Sequence, residues 1–212
     1  MATALEMYAE LRERIDARVG EVERAHEGQL ECRPGCVGCC VNLTVFPVEY
    51  FSMVERLGEA GIRGLNRHVE SACAFLEEGL CQIYWARPVI CRTHGLPVAF
   101  LNDDAETPEM SVSFCPRNFA RATPESLDFN AENTLDLDAL NGELYEINGQ
   151  FVLERPELGL AATDRIPLTR LFEREPAEKP GWRSSGLGES DQRDGVGKSI
   201  VRGETIAGIA DH

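Results

Sequence analysis

Apolar residues recur at three- and four-residue steps near the N-terminus: Leu5, Tyr8, Leu11, Ile15, Val19 and Val22. Glu10, Arg12, Glu13, Arg14 and Asp16 fall mostly off that stripe, so the pattern predicts an amphipathic helix ending near Gly28. The next helical pattern opens at Pro47, whose fixed φ suits a first helical turn. Val48, Phe51, Val54 and Leu57 then share a face, and the glycines from Gly58 to Gly61 close the helix. A further helix is expected from Ile62 into the region of Val69. At Cys73 the period changes. Two short apolar runs flank Glu77-Glu78-Gly79 and predict a β-hairpin with Cys73 on one arm and Cys81 on the other. Pro88 marks the entry to a short helix, which Gly95 and Pro97 end. Residues 98–101 and 110–114 flank an acidic loop and predict a second hairpin that brings the chain back at Cys115. Leu137, Leu140, Leu144, Ile147 and Phe151 then form another long helical stripe, and Thr163 to Phe172 predict a last, capped helix. From Glu173 the chain is polar and rich in Gly, Ser and Pro, the composition of a disordered tail.

Together these elements predict an α+β fold, a small and mostly helical domain with short β-hairpins organised around a cysteine metal cluster. Three segments follow: an N-terminal amphipathic helix over 1–31, a cysteine-cluster domain with C-terminal helices over 32–172, and a disordered tail over 173–212.

Charge narrows the partners. A net charge of -15 repels nucleic-acid phosphates and anionic membrane surfaces, so neither is expected as a partner. A protein partner stays open. The first residues lack a basic stretch followed by an apolar run, and nowhere is an apolar run long enough to span a bilayer. A cytoplasmic location is the expectation. In that compartment eight cysteines read as metal ligands or redox groups before they read as disulfides.

The thiols are concentrated in Cys32-Arg33-Pro34-Gly35-Cys36-Val37-Gly38-Cys39-Cys40. Two cysteines separated by two residues can face one ion, as Cys36 and Cys39 do here by spacing. Pro34 stiffens the turn, while Gly35 and Gly38 let the backbone take positive φ and aim amides inward. Neighbouring side chains diverge, so Cys39 and Cys40 on one tetrahedral ion would strain the backbone. One of the two is expected to serve a second site or a larger cluster. Cys73, Cys81, Cys91 and Cys115 complete the set, enough for two four-thiolate sites or for one cluster plus a structural ion. Thiolates suit zinc, iron and iron–sulfur centres alike. Arg87 and Arg92 are placed to offset thiolate charge, with carboxylate pairing as their other role. His94, three residues after Cys91, shares its helix face and reads equally as a replacement ligand, a proton carrier or a structural histidine. Tyr84 and Trp85 are expected in the core or as a shield over the cluster.

Cys81-Gln82-Ile83-Tyr84, Arg87-Pro88 and Cys91-Arg92, following Cys32, Cys36, Cys39 and Cys40, closely resemble the YkgJ-type cysteine-cluster family of zinc- or iron-chelating domains. Cys73 with Phe75-Leu76 matches that pattern too. The resemblance runs from Cys32 to Cys115, with one departure: three residues separate Cys32 from Cys36 where the family has two. The family includes flagellin N-methylase-like proteins, and its members are often labelled iron–sulfur proteins. It implies metal binding by Cys32, Cys36, Cys39, Cys40, Cys73, Cys81, Cys91 and Cys115, with iron or an iron–sulfur cluster as cofactor and zinc as the alternative. A structural or electron-transfer centre is the leading reading. A metal-dependent lysine N-methylase and a metallochaperone or metal sensor are the others. No glycine-rich methyl-donor loop stands in the chain, and no catalytic residue is assigned.

Overall fold

The computed structural model describes residues 2–33, 35–103, 107–123, 126–173 and 199–202. The chain is an α+β protein. It forms two compact units, each assembled from several stretches. Among the described residues, the first unit takes 2–11, 40–88 and 144–173, and the second takes those within 12–39 and 89–143 together with 199–202.

Helix α1, Ala4–Ala25, bears the predicted stripe: Tyr8, Leu11, Ile15 and Val22 are buried. Its residues up to Leu11 belong to the first unit. In that unit β1, Thr44–Val45, leads directly into α2, Pro47–Arg63. Pro47 lies at the helix start, and the buried Glu49 carboxylate accepts the Phe46 amide at 3.1 Å. An amide with no helical partner is satisfied there by a side chain one turn ahead. The helix is broken at Gly58, where φ is +62°, and resumes to Arg63. The separate helix expected from Ile62 to Val69 is absent: α2 ends at Arg63, Gly64 is in a turn, residues 65–68 are irregular and a turn follows at 69–70. Gly64 caps α2, its amide donating to the Ala60 and Gly61 carbonyls at 3.1 Å, and no new helix nucleates after it.

The predicted hairpin is present as β2, Leu76–Glu77, and β3, Leu80–Cys81. Glu78 and Gly79 both take positive φ, as a two-residue type I′ connection requires. Cys73 lies just ahead of the strand, in a turn closed by the Leu76 amide on the Cys73 carbonyl at 3.1 Å. A short 3₁₀ turn, Tyr84–Ala86, follows. The last segment of this unit differs from expectation. Residues 163–172 are not one capped helix but strand β7, Ile166–Pro167, and a 3₁₀ turn, Leu168–Phe172. β7 pairs antiparallel with β1, and Pro167 admits only this short edge pairing. Buried Asn148 holds the pieces in place. Its Oδ1 accepts the Val48 amide at 3.1 Å, and its Nδ2 donates to the Ala162 carbonyl at 2.8 Å.

The second unit contains α3, Val89–Thr93, and a four-stranded sheet. Its strands are β4, Val98–Asn102; β5, Glu109–Phe114; β6, Leu135–Asp136; and β8, Ser199–Arg202. The spatial order is β6-β4-β5-β8, with β4 and β5 the predicted hairpin and β6 parallel to β4. Strand β8 lies inside the stretch read as a disordered tail; 174–198 and 203–212 fall outside the described residues. Helix α4, Leu137–Glu154, starts on Asp136, whose carboxylate accepts the Ala139 amide at 2.9 Å. The sheet buries Ala99, Val112 and Phe114 with Phe119, and a second cluster joins Val22, Leu96 and Leu135. Those two clusters anchor the ends of the β4–β5 hairpin, from which Gly95 and Cys115 project. No helix among the described residues is long and apolar enough to cross a membrane.

Candidate metal centre

The second unit brings Cys32, Cys39 and Cys115 around one glycine. After α3 the chain must reverse into β4, and Gly95 makes that turn with φ +92°. The Cys115 amide, arriving from β5, donates to the Gly95 carbonyl at 3.1 Å. A Cβ on Gly95 would lie 3.4 Å from Cys32 Sγ, 3.8 Å from Cys39 Sγ and 3.5 Å from Cys115 Cβ. Cys36 lies in the same turn as Cys32. Its amide closes a turn on the Arg33 carbonyl at 2.9 Å, and its sulfur acts electrostatically on Cys32. Burial pushes the Cys32 thiol up, Asn118 draws it partly back, and Cys39, Cys115 and Cys36 push it up again. Burial and the neighbouring sulfurs thus disfavour the Cys32 thiolate, and a cation bound there would favour it.

Asn118 is the residue the sequence did not advertise. It is buried, and its Oδ1 accepts the Glu31 amide at 2.8 Å. Its Nδ2 donates to the Gly95 carbonyl at 2.6 Å and lies 3.6 Å from Cys32 Sγ. One side chain therefore ties together the entry to the thiol turn, the glycine and a sulfur. The signal was present as a polar residue three positions after Cys115. Asn118→Asp keeps the acceptor for Glu31 but loses both donations. Metal affinity is expected to fall about 10–100-fold, as for residues that orient metal ligands. Asn118→Ala also orphans the Glu31 amide, for about 1–3 kcal/mol of stability. Competition with a chelator and thermal melting separate the two effects.

The glycines of the thiol turn divide the expected labour. Gly35 takes positive φ, +89°, as anticipated. Gly38 does not; its service is close approach. A Cβ there would lie 3.4 Å from the Arg117 guanidinium carbon, so a cation packs directly against the turn between Cys36 and Cys39. Arg33 is exposed and pairs with Glu31 at 3.1 Å.

The first unit holds Cys40, Cys73 and Cys81. Burial raises both the Cys73 and Cys81 thiols. Each sulfur also receives a backbone amide, from Phe75 and from Ile83, that draws it back down. Cys73 raises Cys81 further, and the Arg87 charge lowers it. Arg87 also donates to the Tyr84 carbonyl at 3.0 Å and lies over the Tyr84 ring at 3.7 Å. Arg92 takes its other predicted role: its buried side chain pairs with Asp16. The His94 carbonyl is 3.9 Å from Cys39 Sγ, and Cys91 sits on α3. Tyr84 and Trp85 are neither core nor shield, being 56% and 52% exposed. Their rings face arginines, Arg87 on Tyr84 and Arg56 on Trp85 at 5.3 Å.

All eight cysteines are free thiols and half-buried. Among the described residues, no three His, Cys, Asp or Glu side chains already converge on one ligating position. The donor chemistry nevertheless fits a metal: clustered soft sulfurs, amide and carboxamide N–H groups aimed at them, and arginines alongside. An open cavity of about 510 Å³ in the first unit, lined by Glu6, Glu55, Glu154 and Arg155 among others, contains none of the thiols.

Residues 31–116 match the domain family described as "CxxCxxCC: Putative zinc- or iron-chelating domain". No curated protein and no solved structure matches the chain.

Proposed function

With residues 31–116 forming a CxxCxxCC-type domain, we propose that this protein chelates iron, as an iron–sulfur cluster, through Cys32, Cys36, Cys39 and Cys115. The centre is structural or electron-transferring. What supports the choice of ligands is that Cys32 and Cys39 bring their sulfurs, and Cys115 its Cβ, to within 4 Å of a Cβ on Gly95, with Cys36 in the same turn as Cys32. A fold that only packed small apolar groups there would have no use for a donor at Asn118 Nδ2 beside Cys32 Sγ.

The chain's own residues have definite tasks in this reading. Cys32, Cys36, Cys39 and Cys115 supply thiolates. Asn118 orients Cys32 and braces Gly95. Arg117, against Gly38, offsets the negative charge that four thiolates leave around an ion. A bound iron–sulfur group would supply one-electron chemistry there, at a potential set by hydrogen bonds to sulfur and by solvent access.

Anaerobic purification, with a visible spectrum and analysis for iron, zinc and acid-labile sulfide, tests this. Brown protein with broad near-ultraviolet to visible absorption and stoichiometric sulfide is expected. Colourless protein with stoichiometric zinc would replace iron by a structural zinc site. Absence of any metal would end the chelation reading.

A further inference from the structure

We propose that the turn carrying Tyr84 and Trp85 is a docking platform for a short acidic segment of a partner protein, one that presents carboxylates beside an apolar side chain. This surface stands apart from the chelation reading and needs no metal.

The turn is anchored from within. Ile83 and Ala86 are buried, and the Ala86 amide closes the turn on the Ile83 carbonyl at 2.9 Å. Gln82, just before it, is tied to Asn66: the Asn66 amide donates to Gln82 Oε1 at 2.9 Å, and Gln82 Nε2 donates to the Asn66 carbonyl at 2.7 Å. Tyr84 and Trp85 are left on the outside, each more than half exposed. Single exposed apolar residues are ordinary surface, but two large aromatic residues side by side on a fixed turn are the kind of surface that binds.

Two arginines hold the rings in place. Arg87 donates from Nε to the Tyr84 carbonyl at 3.0 Å, and its guanidinium carbon lies 3.7 Å from the centre of the Tyr84 ring. Arg56, on α2, donates from Nη2 to the Trp85 carbonyl at 3.1 Å, and its guanidinium carbon lies 5.3 Å from the Trp85 ring centre. Each arginine grips both the backbone and the ring of one aromatic residue. Side chains held this way lose little freedom on binding, and Trp, Tyr and Arg are the types that dominate the energy of protein interfaces.

Charge selects the occupant. A guanidinium carries five N–H donors in a fork that matches a carboxylate. Arg56 is exposed, and among the described residues no carboxylate pairs with it. Arg63, on the same helix, is paired with Glu59 at 2.9 Å. The chain as a whole bears a net charge of -15, which a long polyanion such as nucleic acid would meet along its length. A short segment with two or three carboxylates feels mainly the charges within about 8 Å at physiological salt. Its apolar side chain would lie on the ring surface that the arginines leave uncovered.

The test uses the full chain as purified and a dye-labelled pentapeptide alternating glutamate and leucine. A peptide with glutamine in place of glutamate, and a labelled oligothymidylate, are titrated beside it, with binding read by fluorescence anisotropy. The glutamate peptide is expected to bind saturably, at least about tenfold tighter than the glutamine peptide, and more weakly as salt rises. Trp85→Ala and Arg56→Gln, both at exposed positions, should each weaken it at least about tenfold with Tm unchanged. Arg63→Gln should leave it as it is. The comparison of peptides reads the wild-type chain, so it does not depend on any variant folding. No saturable binding, equal binding of the two peptides, or undiminished binding by the Trp85→Ala chain would each overturn the proposal. Tighter binding of the oligothymidylate would overturn it in favour of a single-stranded nucleic acid.

Discussion

Cys36→Ser is expected to strip metal from the group around Gly95 and to destabilise the unit that carries it. Cys39→Ser and Cys115→Ser should do the same. Metal-binding free energy at a thiolate site is also folding free energy, on the order of 10 kcal/mol for a structural zinc site. Serine keeps the shape of the side chain but offers a poor ligand, so most of the bond to that position is lost. A loss of about 3 kcal/mol or more would lower Tm by roughly 10 °C in a chain of this length. The reason to expect cooperation is the shared turn: Cys32 and Cys39 both approach Gly95, and Cys115 is hydrogen-bonded to it. Metal analysis and melting of each variant check this. If Cys36→Ser and Cys115→Ser both keep full metal and the wild-type Tm, the thiols are packing or redox groups.

Gly95→Ala should be nearly as damaging, for two separable reasons. At φ +92° an alanine is strained, for about 1–3 kcal/mol. Its Cβ would also stand 3.4 Å from Cys32 Sγ and 3.8 Å from Cys39 Sγ, in the space the sulfurs face. Gly28 supplies the control. It too has positive φ, +78°, but a Cβ there meets nothing within 4 Å. Gly28→Ala should lose comparable stability and retain its metal. Gly95→Ala should lose stability and bind metal at least about tenfold more weakly, because its ligands can no longer settle against the glycine. Equal metal retention in the two variants would mean that Gly95 serves only the turn.

Much of the local structure is readable from the chain. The stripe from Leu5 to Val22 becomes α1 because its period matches a helix and nothing interrupts it until Ala25. Pro47 starts α2, and Glu78-Gly79 turns the hairpin, because both sequences restrict φ to what those turns need. The readings that failed lie where local preference is weak. Residues 62–69 carry enough apolar character for a helix, but α2 ends at Arg63, capped by Gly64, and no helix follows. Ile166 and Pro167 pair with β1, a partner more than a hundred residues away that no local pattern announces. Tyr84 and Trp85 read as core by residue type, yet the chain leaves them exposed under arginines.

The amino-acid sequence by itself determined the chemistry. Eight thiols, their crowding into one turn and the family pattern from Cys32 to Cys115 restrict the ligand to a thiophilic metal. It also led us to expect Cys39 and Cys40 at different ions, because adjacent side chains diverge. Only the tertiary structure decided which thiols keep company. Cys115 meets Cys32 because β4 and β5 pair in one register and return the chain to Gly95. Asn118 and Arg117 become neighbours of the thiol turn by the same return. Asn42, two residues after Cys40, forms two hydrogen bonds across to 72–74, the stretch that carries Cys73. Ligand identity is a property of side chains, written residue by residue. Ligand grouping depends on backbone hydrogen bonds between stretches distant in sequence, and those form only when the whole unit folds.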